Sequence, residues 1–167
     1  PAPDAIALQA ELEKAIADGG LVYGTPSSMF LRTLQSLTLQ ANHLYGGATC
    51  EYARAITYGV INAYWQALQR MYGASLSLPA FAQSSEIGLP LDDTSSMLAR
   101  GLGRLAAQYE PLLAGYWIGE IYTQLVPTGF RTQYGVFYTP PALTNRLLEL
   151  ATNAGVDWAS ARVLDPA

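Results

Sequence analysis

The sequence predicts a mainly α-helical protein: a bundle of about five helices over residues 1–126, then the first helix and strand of an α/β unit over residues 127–167. Apolar residues recur at three- and four-residue intervals in the first region, between residues that start and end helices. Half of the residues are hydrophobic and only 13% are charged, which favours a folded chain over a disordered one.

The first two helices are delimited by capping residues and glycine pairs. Asp4 is a candidate cap for a first helix that ends at Gly19-Gly20, and Thr25-Pro26 begins a second helix that ends at Gly46-Gly47. The second helix has a single apolar stripe, which we expect to pack against the third helix. The stripe consists of Phe30, Leu34, Leu37, Ala41 and Leu44.

The third helix, predicted over residues 49–72, is apolar on two sides and should therefore be central. We expect Trp65 and Leu68 to be largely buried. One stripe consists of Ile56, Val60, Ala63 and Ala67, and the other of Ile61, Trp65, Leu68 and Tyr72.

Residues 73–93, rich in proline, glycine and serine, predict a long connection. Asp93 can cap a fourth helix, which Gly101 and Gly103 weaken, and Pro111 begins a fifth helix that runs to about Leu125. The apolar face of the fourth helix consists of Leu98, Leu102, Leu105 and Tyr109.

The sequence pattern changes after Pro127. Thr128-Gly129 and Gly135 indicate an irregular stretch, after which Thr139 can cap a helix that begins at Pro140 and ends near Gly155. Residues 161–165, ending before Pro166, have the composition of a short strand. Because no second strand is evident, we expect this segment to be disordered, irregular or paired with another molecule.

Composition excludes several classes of site. A single cysteine, Cys50, and a single histidine, His43, allow no disulfide framework and no cysteine-histidine zinc site. With thirteen carboxylates, nine basic residues and a net charge of −4, the chain has the wrong overall sign for a mainly phosphate-binding surface. We interpret Arg100 and Arg104 as a solvated helix face. No apolar run approaches the ~18 residues of a membrane span, so no membrane partner and a cytoplasmic location are expected.

Two segments near the end of the chain together resemble a known family. Residues 135–141 read Gly-Val-Phe-Tyr-Thr-Pro-Pro, and after the intervening helix residues 163–167 read Val-Leu-Asp-Pro-Ala. Their order and spacing resemble the adjoining cofactor motifs of the S-adenosylmethionine-dependent DNA adenine methyltransferases of restriction-modification systems. Residues 118–122, Ile-Gly-Glu-Ile-Tyr, are similar to the link between the helical region and the catalytic domain in such enzymes.

The resemblance implies a set of cofactor-binding residues. Phe137, Tyr138, Thr139 and Pro140 would form a wall beside the methionine part of S-adenosylmethionine. The loop beneath the cofactor would begin with Asp165, Pro166 and Ala167. A carboxylate at the end of a strand in a doubly wound sheet can engage a cationic ligand, which makes Asp165 the strongest single candidate.

The resemblance also implies that the chain stops inside the first cofactor motif. The family's glycine-rich turn would follow Ala167, and its Asn/Asp-Pro-Pro-aromatic motif does not occur in this sequence. No catalytic residue can therefore be assigned, and we expect the chain alone to be inactive. The whole protein would methylate the exocyclic amine of adenine in DNA, with a specificity or nuclease subunit or domain as a further partner. The alternative is a helical protein-interaction or regulatory module without catalytic activity.

Overall fold

A computed structural model describes residues 3–17, 28–73, 89–136, 139 and 141–162, and these residues form seven helices and no strand. The predicted mainly helical class is confirmed, whereas the predicted strand at residues 161–165 lies mostly outside the described residues. Ala161 and Arg162, the part of it that is described, are exposed and have no regular structure. The helices are α1 (Pro3–Ala17), α2 (Ser28–Tyr45), α3 (Cys50–Tyr72), α4 (Asp93–Ala106), α5 (Pro111–Leu125), α6 (Thr128–Tyr134) and α7 (Pro141–Asn153).

Most helix ends follow from local capping chemistry. The Thr49 hydroxyl accepts a hydrogen bond from the Tyr52 amide at 3.1 Å, which starts α3 where the sequence predicts. Asp92, rather than the predicted Asp93, caps α4, because its Oδ2 accepts the amides of Thr94 and Ser95. Glu110 caps α5 with both carboxylate oxygens, at the predicted start.

Three other predicted boundaries are not confirmed by the structure. Helix α1 begins at Pro3, so Asp4 lies inside its first turn rather than before it, and the predicted start of α2 at Thr25-Pro26 lies outside the described residues. The prediction of an irregular stretch after Pro127 is wrong, because Thr128–Tyr134 form α6. Gly135 then ends α6 in the left-handed conformation, at φ 62°.

The centre of the bundle is a close contact between α3 and α4. A Cβ on Gly103 would lie 2.3 Å from the Val60 carbonyl oxygen and 2.7 Å from the Ala63 Cβ, and one on Gly59 would lie 3.3 Å from the Ala99 Cβ. The two backbones approach this closely only because small residues line both sides. Gly101 and Gly103, which weaken α4 by propensity, are therefore required by packing.

Helices α3 and α4 run in the same direction. Gly59 lies opposite Ala99, and Ala63 lies opposite Gly103, so residue numbers increase together along the pair. Neighbouring parallel helices need a connection that returns the chain along the length of the first. This requirement explains why a long segment, residues 73–92, separates α3 from α4.

Helices α1 and α2 pack on α4. On α1, Leu12 contacts Gly101, and the Ile16 carbonyl accepts a hydrogen bond from the Gln108 side chain at 2.8 Å. The α2 stripe is buried as predicted, apart from Leu44, which is 42% exposed. Its main neighbour is α4 and not α3, which corrects the predicted pairing. Phe30 makes edge contacts with Tyr109, just before α5, and with Trp117 in the middle of α5, which joins α2 to this part of the bundle.

Helix α3 is central as predicted, and one of its two apolar stripes is buried more completely than the other. Ile56, Val60 and Ala63 are buried, and α3 contacts both α4 and α5. Trp65 and Leu68 are mostly covered, as predicted, although neither belongs to the fully buried core, and Tyr72 of the same stripe is 64% exposed. The periodicity identifies an apolar side of a helix, but it does not specify how completely neighbouring helices cover that side.

The Tyr52 hydroxyl connects three helices inside the core. It donates to the Leu37 carbonyl of α2 at 3.1 Å and lies 3.0 Å from the Ser95 hydroxyl of α4. Burial raises the pKa of Tyr52 to about 12, with the Ser95 hydrogen bond opposing the rise and the Asp92 charge adding to it. The neutral phenol is therefore the form that the native state favours.

We predict that Gly103→Ala lowers the free energy of unfolding by ~3 kcal/mol, because the added Cβ must force α3 and α4 apart. Urea denaturation followed by circular dichroism measures this loss. The matched control is Gly115→Ala on α5, where a Cβ would meet nothing within 4 Å. That variant should be stabilised by up to ~1 kcal/mol through helix propensity. Equal effects of the two substitutions would contradict the close α3–α4 contact.

We predict that Tyr52→Phe removes part of the alkaline loss of stability. Because the folded pKa of Tyr52 is about 12 and the ordinary value is 10.0, its contribution is complete below pH 10 and is lost as the pH rises towards 12. Stability of the unsubstituted chain should fall more steeply across this window than that of Tyr52→Phe. At neutral pH the variant should lose ~1–2 kcal/mol with the hydrogen bonds. Tyr72→Phe, at a side chain that is 64% exposed, is the control.

Candidate functional site

The structure describes one residue of the cofactor site implied by the resemblance. Thr139, which precedes α7, is exposed to solvent. Phe137, Tyr138 and Pro140 lie outside the described residues, as do residues 165–167. Their relative positions therefore remain predictions from the sequence.

Helix α7, which follows Thr139, leaves an apolar face uncovered. Among the preceding helices it contacts the bundle chiefly through α5. Leu143 and Leu147 are 61% and 67% exposed, and Leu148 and Leu150 are also exposed. A run of exposed leucines on one helix indicates a surface that another structural element covers.

A structured turn follows α7. Gly155, at φ 93°, ends the helical region as the sequence predicts, and the Asp157 carboxylate then accepts hydrogen bonds from the Ser160 hydroxyl at 2.7 Å and the Ala159 amide at 3.0 Å. These two hydrogen bonds, the one from Ser160 first, lower the pKa of Asp157. Trp158 donates its indole N–H to the Thr152 hydroxyl at 2.7 Å. The segment that precedes residues 163–167 therefore has a defined local structure.

The segment Ile118–Tyr122, which resembles an interdomain link, lies inside α5. Ile118 and Ile121 are buried in the core of the bundle. Glu120, between them, faces a groove of about 370 Å³ between α2 and α5. This segment is therefore part of the bundle core, two helices before α7.

The groove between α2 and α5 is mostly apolar. Phe30, Leu34 and Trp117 line it together with polar groups at its edge. The Trp117 indole N–H is buried and has no hydrogen-bond partner among the described residues. Burial first, and then the neighbouring Glu120 charge, raise the pKa of Tyr116 beside this groove. The groove can hold an apolar group, but its polar groups do not form a set with an evident reaction chemistry.

A second groove, of about 200 Å³, is polar and is lined by α1, α3 and α4. Arg70 of α3 and Arg100 and Arg104 of α4 all line this groove. The sequence predicts Arg100 and Arg104 as a solvated face and gives no role to Arg70. Periodicity along one helix could not place Arg70 beside them, because the contact depends on the α3–α4 packing. The complete lining is Gln9, Glu13, Ala63, Gln66, Arg70, Met97, Arg100, Gly101 and Arg104.

The residues that the structure describes contain neither a metal-binding cluster nor a membrane-spanning helix. No group of three His, Cys, Asp or Glu side chains within them could hold a metal ion. No helix within them combines the length and the apolar character that crossing a membrane requires. Comparison with known proteins found no matching family model, no matching curated protein and no matching solved structure.

Proposed function

We propose that this chain is part of an S-adenosylmethionine-dependent DNA adenine methyltransferase of a restriction-modification system. In this proposal residues 1–126 form a helical region, and residues 127–167 open the catalytic domain. The observation that carries the proposal is the exposed leucine face of α7, the last helix before the segment that resembles the first cofactor motif.

The exposed leucines fit a helix that packs on a sheet. In an α/β fold, helices cover the faces of a largely parallel sheet with one apolar side each. Leu143, Leu147 and Leu150 recur at four- and three-residue intervals, so they share a side of α7. The bundle leaves this side open. A sheet to which residues 163–165 contribute a strand would cover it.

The order of the elements supports the position of the cofactor. Residues 137–140 precede the N-terminus of α7, and the turn at residues 157–160 leads from its C-terminus towards residues 163–167. In doubly wound sheets the ligand crevice lies at the carboxyl ends of the strands. Asp165, at the end of the predicted strand, would therefore reach the cofactor, and the aromatic-Thr-Pro segment would approach it from the start of α7.

The chemistry would be a methyl transfer to a weak nucleophile. The exocyclic amine of adenine needs oxygen acceptors for its hydrogens and an aromatic ring that stacks on the extruded base. The family supplies both with its Asn/Asp-Pro-Pro-aromatic motif, which these 167 residues do not contain. We therefore assign cofactor contact, and no catalytic residue, to this chain.

We predict that the 167-residue chain does not bind S-adenosylmethionine measurably at micromolar concentration in a calorimetric titration. Two missing charge-assisted hydrogen bonds, at ~1.5–3 kcal/mol each, would weaken binding by roughly two to four orders of magnitude. A longer chain that extends through the proposed catalytic domain should bind S-adenosylmethionine. In that longer chain Asp165→Asn should lower the affinity for the cofactor ~10- to 100-fold. Asp93→Asn, at an exposed carboxylate of α4, is the control.

Each unfavourable outcome of this titration has a separate meaning. If the longer chain binds no cofactor, the proposed activity is wrong. If the 167-residue chain binds as tightly as the longer one, the assigned cofactor residues are misplaced. The coding sequence after Ala167 provides an independent check, since the proposal requires a Gly-x-Gly soon after it and an Asn/Asp-Pro-Pro-aromatic motif further on.

We predict that Leu147→Gln has different effects in the two chains. In the 167-residue chain Leu147 is 67% exposed, so the free energy of unfolding should change by less than ~0.5 kcal/mol. In the longer chain, where a sheet would bury this side chain, the loss should be ~2–3 kcal/mol. Leu39→Gln on α2, where the leucine is 62% exposed, is the matched control and should be neutral in both. A neutral Leu147→Gln in the longer chain would remove the support that α7 gives to the proposal.

The second candidate is a protein-interaction module, which the same leucine face favours. In that case α7 would bind another protein or a second copy of the chain through its exposed leucines. Sedimentation equilibrium distinguishes self-association, because Leu147→Gln would then shift the 167-residue chain from dimer to monomer. A monomeric unsubstituted chain, together with the two downstream motifs, would favour the methyltransferase.

A further inference from the structure

Three of the nine basic residues of this acidic chain line one groove. Arg100 and Arg104 are one turn apart on α4, and Arg70 approaches from the last turn of α3. The helices that line the groove are held in place by their packing in the core. Gly101 of its lining faces Leu12 of α1, and Ala63 belongs to the close α3–α4 contact.

The groove has an excess of positive charge. Among the described residues that line it, Glu13 supplies the only carboxylate, which forms an ion pair with Arg104 at 2.6 Å between Oε1 and Nη1. Arg70 and Arg100 are exposed and have no ion pair within the described part of the chain. The side-chain amides of Gln9 and Gln66 add neutral hydrogen-bond donors. Two guanidinium groups of the groove are therefore available for an anion from outside the chain.

The three arginines enter the groove from different levels along the helix axes. Because Gly59 lies opposite Ala99, Arg100 is level with Val60 of α3. The backbone of Arg70 is therefore ~15 Å further along the helix axis than that of Arg100, although both side chains line the same groove. Arginines that enter a groove from successive levels suit a chain of anionic groups better than a single free anion.

We propose that this arginine groove binds the phosphate backbone of duplex DNA. Guanidinium groups match phosphate oxygens in a bidentate manner, and backbone contacts fix the position of a protein on DNA without reading its sequence. The groove would hold the helical region against the duplex beside the base that the catalytic domain modifies. The choice of DNA rests on the proposed function, whereas the affinity for a row of phosphates rests on the groove itself.

The expected affinity is modest. The net charge of −4 opposes binding to a polyanion elsewhere on the surface, so the contact must be local to the groove. Non-specific protein–DNA complexes have dissociation constants of ~10⁻⁴–10⁻⁶ M, and this chain should lie at the weak end of that range.

The test is fluorescence anisotropy of a dye-labelled duplex titrated with the 167-residue chain at several salt concentrations near ~50 mM. Arg70→Gln with Arg100→Gln should weaken binding at least tenfold at the lowest salt. The double variant should also lower the slope of log affinity against log salt by ~2, about 0.9 for each phosphate contact. Arg54→Gln with Arg146→Gln, which removes the same charge outside the groove, is the control and should change affinity less than twofold.

A second variant tests the groove by a gain of binding. Glu13→Gln frees Arg104 from its ion pair and should raise the affinity for duplex about threefold. Glu149→Gln is the matched control, because it frees Arg146 from a similar ion pair on α7, away from the groove. Circular dichroism confirms that each variant folds.

Several outcomes would overturn the proposal. One is equal weakening by the groove and control double variants, which would indicate a general charge effect. Another is binding of inorganic phosphate or of polyglutamate as strong as that of the duplex, which would identify a different anion. A third is no detectable duplex binding by either the unsubstituted chain or Glu13→Gln. Because these measurements use no S-adenosylmethionine, the groove can fail while the methyltransferase assignment stands, and the reverse.

Discussion

The close contact between α3 and α4 is the constraint on which the rest of the bundle depends. A Cβ on Gly103 would lie 2.3 Å from the Val60 carbonyl oxygen, so the two helix backbones leave no room for a larger side chain where they touch. Helices α1 and α2 pack on α4, and α5 packs on α3, so each outer helix takes its position from this pair. The Tyr52 hydroxyl adds a polar connection between α2, α3 and α4 at one end of the same contact.

The parallel direction of α3 and α4 also determines where their basic residues lie on the surface. Because α3 and α4 are parallel, basic residues near the C-terminal ends of both helices occur at the same end of the bundle. A cation near a helix C-terminus is favourable for the helix itself, by ~0.3–1 kcal/mol. Helix electrostatics therefore account for Arg70 and Arg104 individually. Their place in one groove with Arg100 follows from the parallel arrangement, because antiparallel helices would put these charges at opposite ends of the bundle.

Features that depend on residues close in the sequence, such as several helix ends, are predicted correctly. Features that depend on contacts between residues distant in the sequence are predicted less well. Thr49, Pro111 and Gly46-Gly47 mark helix ends correctly, because a cap acts within a few residues of itself. Gly103 looks like a weak point of α4 because its partner, Val60, is distant in the sequence. Helix α6 is missed since Gly129 and Gly135 are turn residues by composition, although only Gly135 ends a helix. Of the candidate site, Arg100 and Arg104 are visible as a pair one turn apart, while Arg70 and the uncovered face of α7 require tertiary structure.

The leucine face of α7 and the arginine groove would bind their partners through different physical interactions. The leucine face of α7 would be covered through the hydrophobic effect, which added salt does not weaken and sulfate strengthens. The arginine groove acts through charges whose interactions are screened beyond ~8 Å at physiological ionic strength. If the proposed methyltransferase uses both surfaces, its helical region would stay attached to the rest of the protein at salt concentrations that release it from DNA. The contact with the duplex could then form and break without separating the helical region from the proposed catalytic domain.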